Sequence, residues 1–280
     1  MHSVQDLAVN IVAAILVFGF GVSARGVLGR VRSRRGRKFW GAQIIRGRTY
    51  LFLGSFPRFN YLEPSGFIGL GDSHAVHELA TTLGMYGASF DIAYASKLVD
   101  GQQRENIILV GLDEVNSLIP VVFARIGSGF RVDPAAMTVE DLESGELYSP
   151  EWEEDILHGD STRDFDDSWS IAVGPDGKRC ARRFRVDYGI LIRATSPFAA
   201  DRKIFVIAGI YGFGTWAGAR LPLDEHFLRM CARHDDFECL YRVEVHQNQL
   251  LTISVVALRD LPRQDRHQPQ IGGTGSARPG

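Results

Sequence analysis

Lys203-Ile204-Phe205-Val206-Ile207-Ala208-Gly209 is an apolar run of strand length that ends in glycine, and Ile210-Tyr211-Gly212-Phe213-Gly214-Thr215 then turns into the helical stretch Trp216–Leu221. The same order of strand, glycine, turn and helix recurs at Asn106–Gly111, followed by LDEVNSLIPVVFARI, and begins again at Thr49–Gly54 with Ser55. Short strands that are almost wholly apolar, each feeding a helix, are what a sheet buried on both faces produces. The pattern predicts an α/β fold: a Rossmann-like, largely parallel sheet with helices on both faces.

Outward from these segments, residues 73–86 repeat apolar positions at helical spacing, with Asp72 or Ser73 placed to cap the start. A short strand at 90–93 follows, and another at 187–193 joins 203–209 through the turn at Ser196-Pro197-Phe198. Residues 220–233 can finish a helix that Pro222 interrupts. Residues 238–245 and 250–258 read as a terminal β-hairpin. Acids dominate 140–167, where Arg163 is the one opposing Lys or Arg, and the stretch reads as an exposed insertion without calcium-loop spacing. From 261 the chain is nearly free of apolar residues and is expected to be disordered.

The N-terminus has a different character. Leu7 to Ala24 carries no charge and spans roughly 27 Å as a helix, close to a bilayer's hydrocarbon core. Nine cations follow between Arg25 and Arg48 with no acid among them. By the positive-inside rule this predicts a single-pass membrane protein with residues 1–6 outside, a transmembrane helix at 7–24, a basic juxtamembrane segment at 25–48 and a cytoplasmic domain at 49–260. Anionic lipid is the expected partner of the basic segment, with Phe39-Trp40 at the interface. A net charge of −2 argues against nucleic acid. Cys180, Cys231 and Cys239 form neither a closed disulfide set nor a metal motif, and read as thiols in a reducing compartment.

Candidate chemistry sits where helix N-termini face the carboxyl ends of parallel strands. Gly54, Ser55, Gly111, Asp113, Asn116, Gly209, Gly212, Gly214 and Thr215 are the candidate ligand contacts there, with His74 beside them. Glycines let backbone approach an anion, and Thr215 can cap a helix or donate to a phosphate. The same glycines serve equally as tight turns. Asp72, Glu78 and Glu114 are the candidate catalytic carboxylates, and His74 and Glu78, four apart, share a helix face. Asp72 as a plain cap and His74–Glu78 as a surface pair is the alternative. No metal site is read, and no cofactor is named.

The set Asp187-Tyr188-Gly189, Ser196-Pro197-Phe198, Ala208-Gly209, Gly212 and Gly214-Thr215, with Gly111…Asn116 before it, resembles a pattern of poorly characterised prokaryotic proteins. There a "DYG" strand, an "NPF"-like turn and an "AGxxGxGT" turn recur, and here Ser196 replaces the usual Asn. That resemblance implies no activity. The front half more weakly resembles TIR and nucleoside deoxyribosyltransferase folds, which implies a glutamate, Glu78 or Glu114, acting on nucleosides or NAD. Two functions are thereby expected: binding, with or without cleavage, of a nucleotide or nucleoside-type ligand, or non-catalytic recognition of a protein partner. They differ in whether the strand-end crevice is open or is filled by side chains such as Tyr211, Phe213 or Trp216.

Overall fold

The computed structural model describes residues 34–56, 67–94, 101–112, 116–156, 169–173 and 179–262. Residues 34–46 are helical (α1). There follow β1 (Thr49–Leu53), α2 (Leu70–Gly84), β2 (Asp91–Tyr94), β3 (Asn106–Val110) and α3 (Leu118–Ile126). A small three-stranded sheet comes next: β4 (Phe130–Asp133), β5 (Thr138–Asp141) and β6 (Leu147–Tyr148). The remaining elements are β7 (Glu151–Ile156), β8 (Trp169–Val173), β9 (Arg179–Thr195), β10 (Lys203–Gly209), α4 (Gly212–Arg220), α5 (Glu225–Cys231), β11 (Phe237–His246) and β12 (Gln249–Asp260).

The main sheet has nine strands in the order β12-β11-β9-β10-β3-β1-β2, with β7 and β8 paired to the first half of β9. Only β10, β3, β1 and β2 run parallel; β10–β9, β9–β11 and β11–β12 are antiparallel. This corrects the expectation of a largely parallel, Rossmann-like sheet. The physical reason is that an apolar run reports burial and not direction. Ile190, Leu191 and Ile192 of β9 are as buried as any parallel strand, yet β9 reaches β10 through a short turn, which two strands can make only when antiparallel.

Side-chain alternation divides the core. Leu51, Ile108, Val110, Phe205 and Ile207 face a layer of α1, α2, α4 and α5. Phe52, Ile107, Leu109, Ile204 and Val206 face α3 and the small sheet. Phe39, Trp40 and Ile44 of α1 are buried, and Trp40 lies 4.9 Å from the Phe205 ring. Phe39-Trp40, expected at a lipid interface, is therefore core, and the exposed face of α1 carries Arg34, Arg37 and Lys38.

The single-pass membrane reading is corrected in the same way: among the described residues no helix is long and apolar enough to cross a membrane. Residues 7–24, on which that reading and its inside–outside orientation rested, lie outside the described residues. The tail from 263 also lies outside them, whereas Leu261 is buried and its N–H donates to Asp236 O.

The described part of the acidic segment, residues 140–156, is largely strand and not loop. Glu153 pairs with Arg183 and Arg185, Glu154 with Arg182, and Glu140 with Arg131. Arg259 of β12 holds Asp141 at 2.8 Å, Glu143 at 2.9 Å and Glu238 at 2.6 Å, which ties the small sheet to the main one. Cys231 and Cys239 are buried free thiols.

Helices α2 and α4 run side by side and meet at their starts. A Cβ on Gly71 would overlap the Gly212 carbonyl, whereas one on Gly84 would meet open space. Gly71→Ala is therefore expected to cost about 2–3 kcal/mol by overpacking. Gly84→Ala should be neutral or stabilise by about 0.5–1 kcal/mol through helix propensity. Denaturant unfolding of the two variants reads the contrast directly.

Candidate functional site

The carboxyl ends of β1, β3 and β10 meet where the chain, having placed β2 on one side of β1, places β3 on the other. A crevice between parallel strands opens at such a reversal. Here the described residues bond to one another across the strand ends. Asn116, fully buried, donates through Nδ2 to Phe52 O and Val110 O, both at 3.2 Å, and so bridges the ends of β1 and β3. Its Oδ1 accepts from Leu118 N at 3.2 Å and starts α3. Gly111, at φ 93°, donates to Ile207 O and closes β3 against β10. Only glycine takes that φ freely.

The start of α4 is occupied by a carboxylate from the same chain. Asp187, on β9 and fully buried, accepts from Gly214 N at 2.6 Å, Tyr188 N at 2.8 Å and Tyr211 N at 3.2 Å. Free N–H groups and the positive end of a helix make an anion site; here the Asp187 carboxyl oxygens take those N–H groups. Burial pushes its carboxyl up, to about 8, while the three amides pull it back toward the ionised form. Every contact it makes is that of an acceptor.

Gly209, Gly212, Gly214 and Thr215, the expected phosphate cradle, are used in packing. Gly209 and Gly214 touch each other, Gly212 rests on Gly71, and a Cβ at any of the three would press on backbone. Thr215 Oγ1 accepts from Gly209 N at 3.1 Å and its hydroxyl donates to Asp72. The Gly214 carbonyl accepts from Tyr241 Oη at 2.9 Å.

The second cluster separates into packing contacts between α2 and α4. Gly69, not Asp72 or Ser73, precedes the first helical turn, and no side chain caps it. Asp72 therefore lies inside that turn, 6% exposed, against Thr215. His74 stacks on Trp216 with ring centroids 4.4 Å apart. Glu78 faces Arg220 at 3.7 Å rather than His74. Gly54 is buried, and the half-buried Ser55 has a hydroxyl with no partner among the described residues. Asp113 and Glu114 lie outside the described residues.

Around this core, Tyr211, Phe213, Phe184 and Trp152 pack as one aromatic group, with Phe184 and Phe213 stacked at 5.4 Å. Asp187 and Tyr241 are the residues that sequence reasoning missed as site-formers. The available signal was an acid inside an otherwise apolar strand, which must find donors when buried.

Among the described residues no group of His, Cys, Asp and Glu could hold a metal ion. No protein-family model, curated protein or solved structure matches the chain.

Two predictions follow from the buried carboxyls. Asp187→Ala leaves three amides without an acceptor and should cost more than about 2 kcal/mol. Formate should restore part of the lost melting temperature by refilling the site and should leave the wild type unchanged. Asp72 is raised from its ordinary 3.8 to about 6, mainly by burial and against the Thr215 hydrogen bond. A carboxyl raised on folding contributes fully below about pH 4, and that contribution is lost as pH rises through about 6. Asp72→Asn, neutral throughout, should match the wild type near pH 4 and be more stable by up to about 3 kcal/mol at pH 7. Urea titrations at the two pH values test it.

Proposed function

We propose that this protein is a non-catalytic interaction module, an α/β domain that recognises a protein partner through its outer surface. The observation that carries this reading is the Asp187 carboxylate on the amides of Tyr188, Tyr211 and Gly214. A ligand phosphate at that helix start would find these amides already taken by the Asp187 carboxyl. Asn116 between β1 and β3 and the contact of Gly71 with Gly212 support the same reading, since each fills a place that a bound molecule would need. Glu78, facing Arg220, and His74, under Trp216, are engaged in helix packing.

A nucleotide or nucleoside-type ligand is the second reading. What favours it is the buried Asp72 carboxyl, raised to about 6, together with a Ser55 hydroxyl just beyond β1 that has no partner among the described residues.

Melting the full chain with nucleotides, nucleosides, NAD and ADP-ribose separates the two. The interaction module predicts no shift with any of them. Ligand at a hundred times its dissociation constant adds about 2.7 kcal/mol, several degrees for a domain of this size. A shift of that size, abolished by Asp72→Ala, would overturn the interaction reading in favour of the ligand.

A further inference from the structure

The layer formed by α1, α2, α4 and α5 covers the edge strand β12 only in part. Past α5 lies an open groove of about 740 Å³. Leu250, Ile253 and Val255 of β12 form its floor, and Leu223, Phe227 and Met230 line the opposite wall. The three floor residues are only partly buried against the core beneath them. Leu251, at the groove's margin, is 67% exposed.

Two features say what fits. The first is the state of the β12 edge. Register shifts fall between Leu240 and Tyr241 and between Glu244 and Val245 of β11, which leaves Val256 and Leu251 of β12 without partners. These are β-bulges, and each turns an apolar side chain outward while breaking the regular row of edge amides. Bulges blunt an edge against added strands, so an extended peptide pairing along β12 is disfavoured. A helix lying over the face needs no edge amides. From Leu250 to Val255 the floor runs roughly 17 Å, which about three turns of helix would cover.

The second feature is charge. Arg220, at one end, already faces Glu78. Asp224 is exposed, accepts from Phe227 N at 2.8 Å, and has no basic partner among the described residues. The groove thus presents apolar side chains, with His226 and Ser254 also on its lining, and one acid, Asp224, that no Lys or Arg among the described residues pairs. Met230, flexible and polarisable, adapts to varied apolar contacts.

We propose that this groove takes an amphipathic helix of a protein partner, with its apolar face on Leu250, Ile253, Val255 and Met230 and a basic side chain opposite Asp224. The proposal rests on the interaction-module reading and names the partner's chemistry. Helix-in-groove recognition is a recurring use of such a surface, with anchors at i, i+3, i+4 and i+7.

The test uses the full chain and a labelled helical peptide of Leu and Lys with leucines at that spacing. Its controls are the same residues scrambled and the Leu/Glu counterpart. The Leu/Lys helix is expected to bind at least ten times more tightly than either control. Leu251→Asn with Met230→Gln should weaken it at least tenfold. Asp224→Asn, which keeps an acceptor at the start of α5, should erase the preference for Lys over Glu. Both variants should melt with the wild type.

Equal binding of the scrambled peptide, or no effect of the substitutions, overturns the proposal. Binding that appears only after removal of residues 1–33 would make the chain's own N-terminal segment the occupant. Concentration-dependent self-association lost in Leu251→Asn would make it a second copy. Either result overturns the proposal as stated. Failure of peptide binding without any nucleotide-induced melting shift defeats the groove assignment alone. A nucleotide shift abolished by Asp72→Ala defeats the interaction reading itself.

Discussion

A carboxylate buried beneath a helix start organises this fold. Asp187 projects from β9 and takes the amides of Tyr188, Tyr211 and Gly214. Those amides would otherwise be orphans at the start of α4, in a place water does not reach. With that position set, Gly214 lies against Gly209, Thr215 reaches the amide of Gly209, and Tyr241 reaches the carbonyl of Gly214 from β11. Helix α4 is thereby fixed to three strands at once. Helix α2 then follows α4 in parallel, through Gly71 on Gly212, Asp72 on Thr215, His74 on Trp216 and Glu78 on Arg220. The spacing of these pairs is nearly constant, which is how two parallel helices stay in register over two turns.

How far the sequence discloses this depends on which physical signal each residue carries. The runs at 49–53, 106–110 and 203–209 are legible as strands because burial on both faces demands apolar residues at every position. The direction of β9 is not legible, since that demand is the same for parallel and antiparallel neighbours. What decided it was the turn at 196–202, too short for a crossover. Phe39 and Trp40 were misleading for a related reason. Aromatics beside a cluster of arginines suit a membrane interface and an amphipathic helix equally well, and only the packing of Phe39 on Phe205 and Phe237 separates the two. In the acidic stretch, Glu153 and Glu154 read as solvated charge because their partners, Arg182, Arg183 and Arg185, lie about thirty residues away on β9.

The candidate site shows the same limit more sharply. Glycines after a strand and before a helix signal a close approach of backbone to something. The signal does not say to what. At Gly209, Gly212 and Gly214 the visitor is the protein's own chain, and the acceptor that suits the helix start is the Asp187 carboxyl. A motif of glycine and threonine reads identically whether its acceptor arrives from solution or from a neighbouring strand. The distinguishing residue lies 27 positions from Gly214 and carries its meaning only once β9 is folded beside α4.

Filling the strand ends moves attention to what the sheet leaves uncovered. Parallel strands in the middle of a sheet are enclosed by the helices that connect them. A hairpin added at the edge brings no connecting helix, so the helical layer that packs on β11 covers the outermost strand, β12, only in part. The inner face of β12 must then remain apolar to pack on Tyr241 and Val243 beside it on β11, and it does so at Leu250, Ile253, Val255 and Leu258. An apolar floor next to a bare wall of α5 is thus a geometric consequence of closing the sheet with an antiparallel hairpin. The two bulges allow that face to persist on an edge strand, because they disrupt the backbone row by which an apolar edge would recruit further strands. What survives is a surface that resists strand addition and still presents side chains. Physically, that combination suits a helix.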